Sequence, residues 1–209
     1  MLMNCVASMI KAGTTFRRRV KGLFVLAAHP ELRDSCAVSS HLTHEERLAL
    51  FRLAFNANHI IEIGSYTGAS ACCFGAALKK KGQGQVVCID TWQNDAMTEG
   101  QRDTWADFLK NTARFHEYIL PVRGFSTEVV GEVGEHSLCA DLLFIDGDHS
   151  YEGVKRDWDC YKAFLSPGSV VVFHDWGWAD GVQRIIEEDV KPVIRAFDSL
   201  PNLWWGVIQ

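Results

Sequence analysis

Asp146 and His149, three residues apart, and the adjacent pair His174 and Asp175 are the side chains best suited to chemistry in this chain of 209 residues. Carboxylates and imidazoles exchange protons, and they are also ligands for divalent cations. Gathered at one site, they could take a proton from a nucleophile or hold an ion that activates it. A second group lies upstream. In "IIEIGSYTGAS" (60–70) an apolar run carries Glu62, and Gly64 and Gly68 bracket a turn before a run of small residues. Asp90 closes the next apolar run, "QVVCID" (85–90). A turn with room beside a glycine can seat a ligand. A carboxylate at the neighbouring strand end can accept two hydrogen bonds from a ribose diol.

The elements that must position these residues alternate. "THEE" (43–46) is a capping box that opens a helix with apolar Leu48, Phe51 and Phe55. Short apolar strands are expected at 59–63, 85–90, 118–122, 141–146 and 169–175, separated by helices at 69–81, near 101–114, near 126–132, at 150–165 and near 180–190. "SPG" (166–168) reads as the turn into the fifth strand, and "DSLPN" (198–202) as the link between two last extended runs, 193–197 and 203–209. Apolar strands alternating with helices mean a parallel sheet covered on both faces. The expectation is a single-domain α/β fold, a doubly wound and mostly parallel seven-stranded sheet with a C-terminal antiparallel hairpin. Ligands of such sheets bind outside the C-terminal strand ends. Glu62, Asp90, Asp146, His174 and Asp175 all fall there or next to it, and the fourth and fifth strand ends are neighbours. Trp176 and Trp178 follow the fifth strand, where they could stack on a ring or pack in the core.

Bulk properties narrow the classes. The chain is 47% hydrophobic with a net charge of −5, enough for one sizeable core and without the basic face of a nucleic-acid binder. No apolar run approaches the roughly 18 residues of a membrane span. Seven cysteines form no CxxC pair, which reads as reduced core thiols in a cytoplasmic protein. A zinc site on His136 and Cys139 would rest on one HxxC alone. Lys11, Arg17, Arg18, Arg19 and Lys21 precede the first acid, Glu31, so residues 1–42 are expected to form a basic arm or cap on a domain spanning 43–209. That arm and the paired Trp204 and Trp205 make a homo-oligomer plausible by composition.

The glycine turn is not a dinucleotide fingerprint. Counted from Gly64, the second glycine position holds Tyr66 and the third holds Ala69. It also lacks the Gly-Lys-Ser/Thr of a phosphate loop. What suits the turn is a nucleoside with a short zwitterionic tail in place of a diphosphate, which describes S-adenosylmethionine. "IIEIGSYTGASACC", "VVCIDTW" and "DLLFIDGDHSYEGVKRDW" resemble the class I S-adenosylmethionine-dependent methyltransferases, with their Rossmann-like fold. The nearest group is the small-molecule methyltransferases that include the cephalosporin hydroxylase-like proteins. The resemblance implies that Glu62, Gly64, Ser65, Tyr66 and Gly68 surround the methionine part of the cofactor, that Asp90 holds the ribose, that Trp92, Phe125 and Ser126 flank the adenine, and that Asp146 also belongs to the cofactor site.

The metal-dependent catechol-type O-methyltransferases resemble the fourth and fifth strand ends. By that likeness Asp146 and Asp175 would be cation ligands, and Asp146 and His149 the catalytic pair, with His149 at the base position. An ordinary histidine pKa near 6.5 would suit that role. His174 stands where an all-oxygen site has an acid. The candidate metal set Asp146, His174 and Asp175 therefore leans from magnesium toward manganese or iron. The implied activity is methyl transfer to an oxygen of a small molecule such as a sugar, phenol or natural-product intermediate. A nicotinamide-dependent oxidoreductase and a cofactor-binding protein without transferase activity are the alternatives. The first is disfavoured by Tyr66. The second is left open because fold does not determine reaction.

Overall fold

The computed structural model describes residues 24–93, 100–137 and 139–209. The basic stretch from Lys11 to Lys21, and residues 94–99 of the polar segment 92–104 expected to act as a cofactor lid, lie outside the described residues. The strands are β1 (His59–Ile63), β2 (Gln85–Asp90), β3 (Ile119–Arg123), β4 (Ala140–Ile145), β5 (Leu165–His174), β6 (Ile194–Leu200) and β7 (Leu203–Ile208). They form one sheet in the order β3-β2-β1-β4-β5-β7-β6. The first five pair in parallel, and β7 runs antiparallel between β5 and β6. The chain order reverses between β1 and β4, so the crevice for a ligand opens at their C-terminal ends.

Besides a helical stretch over 24–28, the described residues hold α1 (Arg33–Ala37), α2 (His44–Phe55), α3 (Ala69–Lys81), α4 (Trp105–Thr112), α5 (Val130–His136), α6 (Tyr151–Tyr161) and α7 (Asp180–Ile185). Two cores follow from burial on both sheet faces. One joins Ile60, Cys88, Leu142 and Phe144 to Leu50, Phe51 and the buried face of α3, including Cys72, Cys73 and Phe74. The other joins Ile61, Leu143, Val171 and Phe173 to Trp158 of α6 and Ile185 of α7. Trp204 belongs to the second core and Trp205 packs on the first, as the two-residue strand period requires. The described part of the N-terminal arm also joins the domain, burying Leu32, Val38 and Leu42 in the first core.

Element limits differ from the sequence expectation where a local competitor wins. "SPG" is not a turn. Ser166–Gly168 lie inside β5, in an irregular stretch where the pairing jumps from Ala140↔Leu165 to Leu142↔Val170. Ser169 pins it, its hydroxyl donating to the Ala140 carbonyl at 2.7 Å and accepting from the Ser166 N–H at 3.1 Å. In the last hairpin β6 extends to Leu200, which leaves only Pro201 and Asn202 as the turn between the strands. Helix α5 begins at Val130 rather than near 126, because the N–H groups of Glu128 and Val129 turn back onto the Phe125 carbonyl. The expected helix near 180–190 ends its α-helical part at Ile185 and widens into a π turn over Ile186–Val190.

The turn after β1 depends on Gly64. Its φ is +86°, and a Cβ added there would lie 2.0 Å from the Asp146 carbonyl oxygen. Gly64 donates to Ile89 O at 2.9 Å, while Asp146 donates to Ile63 O at 2.9 Å, so three strand ends meet at this point. Gly64→Ala combines a left-handed backbone with a clash against a main-chain atom. It is expected to cost about 3 kcal/mol or more of folding free energy. Denaturant titration checks this, and an unchanged midpoint would show that the strand ends separate freely.

Candidate active site

A cavity of about 970 Å³ opens at the C-terminal ends of the central strands. At one end are Gly64, Ser65 and Tyr66 after β1, Asp90 and Thr91 at β2, and Phe125 and Ser126 after β3. At the other are Asp146, His149, His174 and Asp175. Residues 37–42 form a further wall. Arg47 of α2, buried beneath them, holds that segment through its guanidinium. It donates to the Ser35 carbonyl, to the Ser35 hydroxyl at 2.8 Å, to Val38 O at 3.2 Å and to Leu42 O at 3.3 Å. A buried cation satisfied by carbonyls in this way fixes the chain around it.

Asp90 links the first two turns. One carboxylate oxygen accepts the Tyr66 N–H at 2.7 Å and the other the Trp92 N–H at 2.7 Å. Tyr66 (φ +44°) and Trp92 (φ +53°) both have left-handed backbones, as does Asp175 (φ +59°) after β5. Such strain gathers where a site over-determines its backbone. Glu62 lies fully buried under the turn, accepting the Ser65 hydroxyl at 2.7 Å. Burial, partly offset by neighbours such as Cys88 and Ser65, pushes its carboxyl up to about 7.

The structure separates the residues expected around a cofactor. Gly64, Ser65, Tyr66, Asp90, Phe125 and Ser126 line the cavity. Glu62, Gly68 and Trp92 are not in its wall. Glu62 supports the turn through Ser65. Gly68 is the N-cap of α3, where a Cβ would meet Thr112 at 2.7 Å and Phe108 at 3.2 Å, so it is small to admit α4. The Trp92 ring is fully buried, 4.6 Å from Trp105 and 4.7 Å from Phe108 between centroids, because apolar packing outweighs exposure to a ligand.

At the opposite end, the ligand atoms of Asp146, His149 and Asp175 all lie within 4.8 Å of one another. His149, not His174, completes this set with the two carboxylates. His149 Nε2 is 2.7 Å from Asp175 Oδ2 and 3.9 Å from Asp146 Oδ1. His174 is turned inward. Its Nδ1 lies 3.1 Å from Asp146 Oδ1 and 3.3 Å from Asp175 Oδ2, and its Nε2 lies 3.9 Å from Glu46 Oε2. Glu46 also completes the Thr43 capping box, tying the start of α2 to the site. Asn202 in the β6–β7 turn donates to Asp175 Oδ1 at 2.8 Å, and so does the Trp178 indole at 2.7 Å. Trp178 is 61% exposed with its ring edge-on to His149, whereas Trp176 packs on the second core. Among the described residues no other group of three acids, histidines or cysteines suits an ion, and His136 with Cys139 forms none.

Sequence reasoning missed Glu46 and Asn202 as parts of the site. Both had complete local explanations, as a cap and as a turn residue. Ser150 caps α6, and Asp148 holds Ser150, accepting its N–H at 2.8 Å and its hydroxyl at 2.9 Å.

The charges are coupled. Contact with Asp146 and then Asp175 outweighs burial and pushes His149 up to about 9. Burial opposes the His174 cation, but Asp146, Asp175 and Glu46 overcome it and hold that pKa far above the ordinary range. Asp146 and Asp175 resist burial in return and stay below the usual carboxylate range, the first chiefly through His174 and the second chiefly through His149. His149 therefore carries its proton at neutral pH in this arrangement. The expectation of an ordinary histidine near 6.5 does not hold here, because two carboxylates face it.

A histidine raised on folding stabilises fully below its unfolded pKa, about 6.5, and loses that contribution as pH rises through about 9. In the presence of chelator, the urea midpoint should fall between pH 7 and 10, and more shallowly in His149→Gln. Equal slopes would show that His149 is not held by these carboxylates.

Residues 61–176 match the model of a family described as a methyltransferase domain. An uncharacterized protein of Sinorhizobium fredii is 32% identical over 126 residues, covering 58% of this chain and 13% of that protein. The chain thus spans a small part of that relative's length. Among solved structures, a methyltransferase of Podospora anserina bound to S-adenosylhomocysteine (SAH) superposes with a TM-score of 0.65 at 10% identity, over 94% of this chain and 96% of that one. An O-methyltransferase of Bacillus cereus in complex with SAH superposes with a TM-score of 0.61 at 15% identity, over 90% of this chain and 89% of that one. At such identities the likeness is one of fold. The family match spans more than half of the 209 residues, and the chain belongs to this methyltransferase-domain family.

Proposed function

We propose that the chain is an S-adenosylmethionine-dependent methyltransferase acting on an oxygen of a small-molecule acceptor. The observation that carries this reading is the single cavity. It joins a nucleoside-suited turn at Gly64–Tyr66 and Asp90 to the carboxylate–imidazole cluster at Asp146, His149 and Asp175. The two solved structures named above hold SAH in this fold. A dinucleotide is poorly served, because the Tyr66 N–H that would face a diphosphate is committed to Asp90.

When bound, the cofactor supplies a methyl group on a sulfonium sulfur. The chain orients its partner and manages a proton. Asp90 lines the cavity at the end of β2, and a carboxylate there can accept from ribose hydroxyls. Phe125 offers a half-exposed face to a base. At the other end an acceptor hydroxyl would meet Asp146, Asp175 and His149. Because His149 holds its own proton at neutral pH, the proton-free acceptor atoms there are carboxylate oxygens.

Two carboxylates and one imidazole also fit a divalent cation, manganese better than magnesium because of the nitrogen. Asp146, His149 and Asp175 would hold it, and it would lower the pKa of a hydroxyl beside it. His149 is then a ligand, and His174 with Glu46 and Asn202 orients the carboxylates.

Calorimetry with SAH tests the cofactor assignment. Binding is expected for wild type, weakened about tenfold or more in Asp90→Ala through loss of charged hydrogen bonds. Stabilisation by NAD or NADP alone would reverse the assignment. SAH affinity without transfer to any of a broad panel of hydroxylated acceptors would favour a binding protein. For the cation, manganese should bind wild type, more tightly at higher pH as His149 loses its proton, and much more weakly in His149→Ala. Turnover should fall with chelator and recover with manganese. Indifference to chelator would leave Asp146 and Asp175 as acid–base or positioning groups.

A further inference from the structure

We propose that Asp157 reads the base of the bound nucleoside, one oxygen of its carboxylate accepting a hydrogen bond from the exocyclic amino group of an adenine ring. The assignment rests on the cofactor reading above and adds to it a residue that selects one base.

Asp157 belongs to α6, lines the cavity and is 4% exposed. No lysine, arginine or histidine lies within ion-pair distance of it among the described residues, although Arg156 adjoins it in sequence. Burial accordingly pushes its carboxyl up to about 6, against the pull of the Ser126 hydroxyl. A buried carboxylate without a cation is costly unless donors reach it. One oxygen has its donor: the Ser126 hydroxyl bonds Oδ1. Ser126 is itself fixed, its carbonyl accepting the Tyr161 hydroxyl at 2.7 Å. The other oxygen, Oδ2, receives no hydrogen bond from the described residues. Gly147 stands beside it, and a Cβ there would lie 3.2 Å from Oδ2. With glycine at 147 no side chain from that position covers the oxygen, and both residues line the cavity.

The position suits a base. The Gly124 N–H donates to the Asp90 carbonyl at 3.0 Å, so the end of β3 abuts the ribose anchor. Ser126 is two residues further, at most about 7 Å of chain. That is the scale on which a purine reaches from its sugar, and Phe125 in between is exposed to lie against its face. A carboxylate acceptor pairs with an amino group and opposes a carbonyl oxygen at the same place.

Calorimetry on the intact chain compares SAH with S-inosylhomocysteine, in which a carbonyl oxygen replaces the amino group. Wild type is expected to bind the amino compound at least about tenfold more tightly. Asp157→Asn, whose amide can donate to the carbonyl, should bring the two affinities within about threefold of each other. Gly147→Ala, whose methyl group closes over Oδ2, should narrow the ratio in the same direction and serves if the asparagine variant does not fold. Equal binding of both compounds by wild type, or undiminished preference in a folded variant, overturns the assignment and leaves the cofactor reading intact. Binding of neither compound by wild type removes the cofactor reading and this assignment with it.

Discussion

The approach of the Gly64 backbone to the Asp146 carbonyl is the constraint on which the site is built. Strands β1 and β4 are neighbours in the sheet, yet they are separated by more than seventy residues of chain. Only a residue without a Cβ lets the turn after β1 leave its strand against the end of β4. From there the chain rises through Ser65 and Tyr66 toward Asp90, and the left-handed backbones of Tyr66 and Trp92 are held by that one carboxylate. The Gly64–Asp90 end of the cavity is thus a consequence of sheet topology. Two strand ends and a glycine define it, and Asp90 stiffens it.

The reaction end obeys electrostatics instead. Asp146 and Asp175 would repel each other if left alone. His149 on the cavity side and His174 on the buried side separate them, and both imidazoles hold protons more tightly as a result. Glu46 reaches the same cluster from α2, and Asn202 from the β6–β7 turn. Four separate parts of the chain therefore share one set of charges. A change in any of them alters the proton affinity of the rest, which couples α2 and the β6–β7 turn to the strand ends.

Local features of the chain misled where two roles competed for one residue. Trp92 lies two residues after Asp90 and has the shape of a base platform. It is buried because Trp105 and Phe108 offer more apolar contact than a ligand cleft does. Gly68 looks like part of a ligand turn but is small for the sake of α4. Pro167 and Gly168 are turn residues by type, yet the chain absorbs them inside β5, where Ser169 supplies the missing hydrogen bonds. Glu46 satisfied a cap, and nothing in its spacing pointed across the sheet to His174.

The amino-acid sequence by itself determined the alternation of strands and helices, the parallel sheet with its final hairpin, and the placing of Gly64, Asp90, Asp146 and Asp175 at strand ends. These follow from apolar periodicity and from side-chain types, which act over a few residues. The tertiary structure alone decided which histidine faces the cavity, which faces Glu46, and which aromatic rings stay exposed. It also brought the Asp157 carboxylate against Ser126, just beyond the end of β3. Those outcomes depend on the register and twist with which distant segments meet, and on the competition between burial and solvation at each contact. A local pattern carries neither.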